Sequence, residues 1–119
     1  MAQEFSRTQR LGEQIRRELA ELIRRLKDPR IGMVTITEVE VTRDLSLARV
    51  YYSVMEDDPR VQADTQAGLE HAAGFLRREL GKSLHVRVIP QLRFIFDDTQ
   101  RKAEAIDRLI EEALNKDRH

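Results

Sequence analysis

Cysteine is absent from all 119 residues, which excludes disulfide frameworks, thiolate metal sites and a cysteine nucleophile. That absence agrees with a reducing cytosol, and the chain is read as cytoplasmic. Tryptophan is also missing and aromatic residues amount to 5%, leaving little with which to stack exposed bases. Glycine and proline number five and three, and no linker, repeat or low-complexity segment is found. No apolar run approaches the about 20 residues of a membrane span. The opening stretch MAQEFSRTQR has no apolar signal-peptide core.

What is present is charge and regular apolar spacing. Charged residues make up 35% and hydrophobic residues 40%, the composition of a folded, well-solvated chain. The length predicts a single domain over residues 1–119, with an ordered core of about 5–114 and a frayed tail at 115–119. Formal net charge is zero, but the signs are segregated. Residues 1–30 carry eight Lys/Arg against five Asp/Glu, and residues 71–102 carry seven against three. Residues 38–70 carry three against eight, and residues 103–119 three against five. Such segregation allows one basic face on a neutral protein.

Leu11, Ile15, Leu19, Leu22, Ile23 and Leu26 form one helical stripe, predicting a helix over about 6–27 with Ser6 and Gln9 as a capping box. Its polar face holds Arg10, Arg16, Arg17, Arg24 and Arg25 among glutamates. Met33–Thr42 alternates and is rich in β-branched residues, with a parity shift that predicts a bulge near Glu38. After a turn at Arg43–Ser46, Ala48–Met55 reads as the second strand of a hairpin. An acidic loop, Glu56–Pro59, leads to a helix whose stripe is Leu69, Ala72, Ala73, Leu76, Leu80 and Leu84, interrupted at Gly74. Gln91–Phe96 is a third strand with Leu92, Phe94 and Phe96 inward. A last helix carries Ile106, Leu109, Ile110 and Leu114. The fold class is α+β, in the order α-β-β-α(kink)α-β plus a C-terminal helix, with helices on one face of a three-stranded mixed sheet. No apolar helix face is left over, which predicts a monomer.

His71, His85 and His119 show no metal-ligand spacing. Asp97-Asp98 could be a carboxylate pair, but it precedes a helical pattern, where carboxylates cap free N–H groups. Asp57-Asp58 before Pro59 has the same explanation. Ser46, Ser53 and Ser83 lie in no nucleophile elbow, so no enzyme and no cofactor is expected. A small hydrolase or metal enzyme would need an acid/base cluster that the chain does not offer.

The small tripeptide Ala72-Ala73-Gly74 sits just before Arg77 and Arg78, although an interior glycine costs a helix roughly 1 kcal/mol relative to alanine. It could be a helix C-cap followed directly by another helix, or a small face packed against the sheet. It could also be a kink that exposes backbone N–H groups to a phosphate, with Arg77, Arg78, Lys82 and Arg87 placed to meet neighbouring phosphates.

This order, with a small-residue break between paired helices, resembles a type II KH domain, a fold that holds RNA backbone. Its usual GxxG loop is replaced here by Ala72-Ala73-Gly74. That replacement, with "DPRIGMVTITEVEVTRDLSLARVYYSV" before it and "RVIPQLRFIFDDT" and "AIDRLIEEA" after it, is similar to the bacterial ribosome-binding factor A family over about residues 5–114. The resemblance implies a factor that binds the free 30S subunit and assists late maturation of 16S rRNA, including its 5′-end region, and growth in the cold. It implies release linked to an assembly GTPase. It places the RNA-facing patch on Ala72, Ala73, Gly74, Arg77, Arg78, Lys82 and Arg87, with the helix 1 arginines and Arg93 as weaker candidates. The rival reading is a KH-like protein-interaction module that has lost RNA binding. Some members carry a long charged C-terminal extension, and the resemblance implies no role for one here, where the sequence ends at His119.

Overall fold

Three helices and three strands follow one another as α1 (Ala2–Arg25), β1 (Val34–Val41), β2 (Leu47–Val54), α2 (Pro59–Gly81), β3 (Gln91–Phe96) and α3 (Thr99–Asp117). The computed structural model describes the backbone of residues 2–117 and the side chains of residues 7–99 and 102–116. The sheet order is β1-β2-β3, with β1 antiparallel and β3 parallel to β2. The mixed α+β arrangement is therefore as expected. β3 returns parallel because a whole helix, α2, intervenes between it and β2.

α1 and α2 cover one face of the sheet. Ile15 and Leu19 of α1, Leu69 and Leu76 of α2, and Ala48, Val50 and Tyr52 of β2 are all fully buried between the layers. Gly12 allows α1 to lie directly on β1: a Cβ at this position would stand 2.5 Å from the carbonyl oxygen of Val39. The opposite sheet face, with Arg49 and Arg93 in register on neighbouring strands, carries no helix layer among the described residues.

Expected details hold at several points. The register between β1 and β2 shifts between Ile36 and Glu38, so the bulge falls where the apolar parity changed. It leaves Thr37 out of the ladder and free to donate its hydroxyl to the Asp97 carboxylate at 2.7 Å. In the following turn, Leu45 takes φ 62°, and the Asp44 carboxylate accepts from the Ser46 N–H and from the hydroxyls of Ser46 and Thr42. Asp58 caps α2 by accepting from the Arg60 N–H at 2.9 Å, and Asp97 accepts from the Thr99 N–H at 3.0 Å at the start of α3. Both acidic pairs thus serve helix starts.

Other details differ. α1 begins at Ala2 rather than near residue 6, which puts Ser6 inside the helix; of the expected capping box, the Ser6 side chain lies outside the described residues. α3 is helical as far as Asp117, and of the expected tail only Arg118 and His119 lie outside the described residues. The expected division at Ala72-Ala73-Gly74 is not a division. α2 is one helix from Pro59 to Gly81, and no glycine has positive φ among the described residues. The physical reason is phase: Leu69, Leu76 and Leu80 stay on one stripe across Gly74, and all are buried. Breaking the helix there would forfeit burial worth about 1.5–3 kcal/mol per leucine, well above the cost of one glycine.

α3 also departs from expectation. It makes no extensive contact with either layer, and Ile106, Leu109, Ile110 and Leu114 are 53–64% exposed. A spare apolar helix face therefore exists after all, and the reasoning that predicted a monomer does not hold. Extents of 63 × 42 × 18 Å agree with a thin two-layer body. No helix among the described residues is long and apolar enough to cross a membrane.

Candidate nucleic-acid interface

The polar face of α2 is where the expected site residues come closest together. Ala72 and Ala73 are half-buried and help pack α2 on the core. Gly74 is exposed, and a Cβ there would meet only the Nη1 atom of Arg78, at 3.7 Å. The glycine is needed neither for an unusual backbone angle nor for a close approach of protein. Arg78 stands one helical turn later on the same outward crest and is exposed, as is Phe75 between them. A bare strip of helix backbone thus lies beside a guanidinium that is unpaired among the described residues. The backbone N–H groups are not available as donors, since a continuous helix uses them internally.

The remaining cations differ in what they touch. Arg77 faces the β3 side of α2 and donates two hydrogen bonds to the Ile89 carbonyl, Nε at 3.2 Å and Nη2 at 2.8 Å. Lys82 is the C-cap residue of α2 and pairs with Glu79 at 2.7 Å. An exposed pair of this kind is worth only about 0–1 kcal/mol, so Lys82 can exchange Glu79 for a phosphate at little cost. Arg87 is exposed on the connection between α2 and β3.

The weaker candidates are not brought to this patch. On α1, Arg16 and Arg17 share Glu13, and Arg24 and Arg25 share Glu21. Hydrogen bonding from Arg16 holds the Glu13 carboxyl below its usual range. Those pairs are exposed and as weak as Lys82–Glu79, with two arginines to each glutamate, so what sets these arginines apart is their place on α1. Arg93 alternates with the inward Phe94 on β3 and so belongs to the helix-free side of the sheet.

Sequence reasoning missed the groove between α2 and the free edge of β3. It encloses about 680 Å³ and is lined by Gln62, Gln66, Glu70, Ala73 and residues Leu92–Phe96. Gln66 is its hub: its amide nitrogen donates to the Phe94 carbonyl and to Glu70, both at 2.9 Å, and its oxygen accepts from the Tyr52 hydroxyl. Burial, with the nearby Glu70 charge, pushes the Tyr52 hydroxyl up to about 12, so it remains a neutral donor. The signal was legible as Gln62, Gln66 and Glu70, a polar row at helical spacing beside the core stripe.

The chain is similar to known proteins in both sequence and fold. A sequence model of the family described as Ribosome-binding factor A matches residues 7–110. The chain is 54% identical over 119 residues to a ribosome-binding factor A of Thioalkalivibrio sulfidiphilus, covering 99% of this chain and 92% of that one. Its fold is similar to the crystal structure of ribosome-binding factor A from Thermus thermophilus, with TM-score 0.68, 28% identity, and coverage of 75% of this chain and 93% of that one. It is also similar to a homology model of Thermus thermophilus ribosome-binding factor A fitted into the cryo-EM map of its complex with the 30S subunit, with TM-score 0.63, 28% identity, and coverage of 76% and 94%.

Proposed function

The chain belongs to the ribosome-binding factor A family, and we propose that it is an assembly factor, acting as one domain in the cytoplasm, that binds the free 30S subunit. It holds 16S rRNA in one arrangement during late maturation, including that of the 5′-end region, and supports growth in the cold. Its release is coupled to an assembly GTPase. Holding one rRNA arrangement requires only that the protein bind that state better than its competitors.

The observation that carries this reading is the crest of α2, where exposed Gly74 lies beside the guanidinium of Arg78, which has no partner among the described residues. Without a side chain at Gly74, a sugar-phosphate backbone can ride against the helix while Arg78, Lys82 and Arg87 meet its phosphates. Ala72 and Ala73 keep that stretch of α2 slim. Recognition is mainly by shape and charge: Tyr52 and Phe94 are buried in the core and cannot stack on bases, which leaves Phe75 as the exposed ring on the crest. Contacts of this kind position a protein on folded RNA and read little sequence.

Co-sedimentation with purified free 30S subunits, 50S subunits and whole ribosomes, across a salt series, tests the proposal. The expected result is selective binding to free 30S subunits. Arg78→Gln should weaken it uniformly and reduce the slope of log K against log salt by about 1. Binding that ignores both salt and Arg78 would favour the protein-interaction module, and no selective binding would end the assembly-factor reading.

A further inference from the structure

The connection Lys82–Pro90 between α2 and β3 has no regular structure, yet it is anchored residue by residue. Its start is tied down by the Ser83 and Leu84 N–H groups, which donate to the Leu80 carbonyl at 3.1 and 2.9 Å. Leu84 is buried, Val86 and Ile89 pack against the core, and Pro90 is fully buried. The residues between these anchors, His85, Arg87 and Val88, point outward and are exposed. Ile89 is gripped at its far end: its side chain reaches the surface of α2 at Gly81, where an added Cβ would stand 3.4 Å away. Its carbonyl receives both bonds from Arg77. Carbonyl oxygens have two lone pairs, and the planar fork of a guanidinium can fill both at once. A lysine in the same place is a point donor and cannot.

From this geometry we propose that Arg77 is a positioning residue and not itself an RNA contact. It clasps the end of the 82–90 connection so that Arg87 is presented to phosphate beside the crest formed by Gly74 and Arg78. The inference rests on the RNA-binding reading above and refines it. Two adjacent arginines in sequence, Arg77 and Arg78, have different work: one shapes the surface and the other is part of it. They differ because neighbouring helix positions lie about 100° apart, which turns Arg77 toward β3 and leaves Arg78 on the crest. The clasp also explains how an irregular segment can hold a charge in place without secondary structure of its own.

Amide hydrogen exchange on the free protein and 30S co-sedimentation test this together, using Arg77→Gln, Arg77→Lys, Arg78→Gln, Arg87→Gln and the pairwise doubles. In the free protein, both Arg77 variants should speed exchange of the Leu84 and Gln91 amides, whose bonds to the Leu80 and Ser46 carbonyls bracket the connection, about five- to tenfold, as expected for loss of a charge-assisted hydrogen bond. Arg78→Gln should leave them unchanged. In binding, Arg77→Lys should fall with Arg77→Gln, although it keeps the charge. The Arg77→Gln/Arg87→Gln double should bind within about twofold of Arg87→Gln alone, because coupled residues are non-additive. Arg78→Gln should multiply with either. Unchanged exchange in Arg77→Gln would overturn the clasp. Wild-type affinity in Arg77→Lys would make Arg77 a direct charge contact and overturn the proposal equally. If the wild-type chain fails to bind 30S subunits, the RNA-binding reading falls with the presentation of Arg87, while the exchange data still decide whether the clasp exists.

Discussion

Replacing Gly74 with alanine separates stability from binding at the one position where they should oppose each other. The site is open: the added methyl would meet only the flexible end of Arg78, at 3.7 Å. Nothing offsets the propensity gain, so Gly74→Ala should stabilise the fold by up to about 1 kcal/mol. With a urea m-value near 1–2 kcal/mol/M for a domain of this size, the unfolding midpoint should rise by roughly 0.5–1 M. Gly12→Ala is the internal control. The same propensity gain applies there, but the methyl would lie 2.5 Å from the Val39 carbonyl oxygen, and backbone cannot yield as a side-chain tip can. Forcing α1 off β1 costs about 1–3 kcal/mol, so the midpoint should fall. If the crest of α2 carries RNA backbone, Gly74→Ala should weaken 30S binding while it stabilises the protein. Losing one charge-assisted contact of about 1.5 kcal/mol corresponds to roughly tenfold in affinity. Stability that falls in Gly74→Ala would refute the open crest. A stabilised variant that binds as wild type would refute the crest as the RNA surface.

Three further outcomes follow from other parts of the fold. Asp97→Ala should cost about 0.5–2 kcal/mol, because the carboxylate caps α3 through the Thr99 N–H and accepts from Thr37. Hydrogen bonds from Thr99 and then Thr37 hold its carboxyl below the usual range, so its contribution should be full above the ordinary carboxylate pKa and decline as pH falls below it. A urea midpoint identical to wild type at neutral pH would contradict this. Asp28, bonded first by the Arg30 guanidinium and then by the Arg30 N–H, is held down to about 2. Its side-chain carbon resonance should titrate near that pH, and in Arg30→Gln the midpoint should move up toward the ordinary value; its stabilising effect is present above that ordinary value and lost as pH falls through about 2. Ile106→Ser/Ile110→Ser should change stability by no more than about 0.5 kcal/mol per site, since both residues are more than half exposed on α3. A loss above about 2 kcal/mol in denaturant unfolding would mean that α3 packs on the core.

Local periodicity made most of this fold legible, because each strand and helix states its buried face in its own residues. The bulge was legible for the same reason: β-branched alternation that changes parity between Ile36 and Val39 can keep one face buried only by inserting a residue, and Thr37 is that residue. The continuity of α2 was also written in the chain but outweighed by one glycine. Leu69, Leu76 and Leu80 keep helical phase across Gly74, and a helix break would have shifted that phase. What periodicity cannot state is which element covers an apolar stripe, so α3 looked like core and is exposed. Nor can it distinguish Arg77 from Arg78, whose difference lies in a carbonyl twelve residues further along the chain. Gly74 is therefore most informative read against both neighbours. The protein itself requires nothing of the missing side chain, while the guanidinium beside it has no acidic partner among the described residues. On the proposed reading, a position that costs helix stability and is left bare beside an unanswered charge makes room for a ligand that brings both bulk and negative charge, as an RNA backbone does.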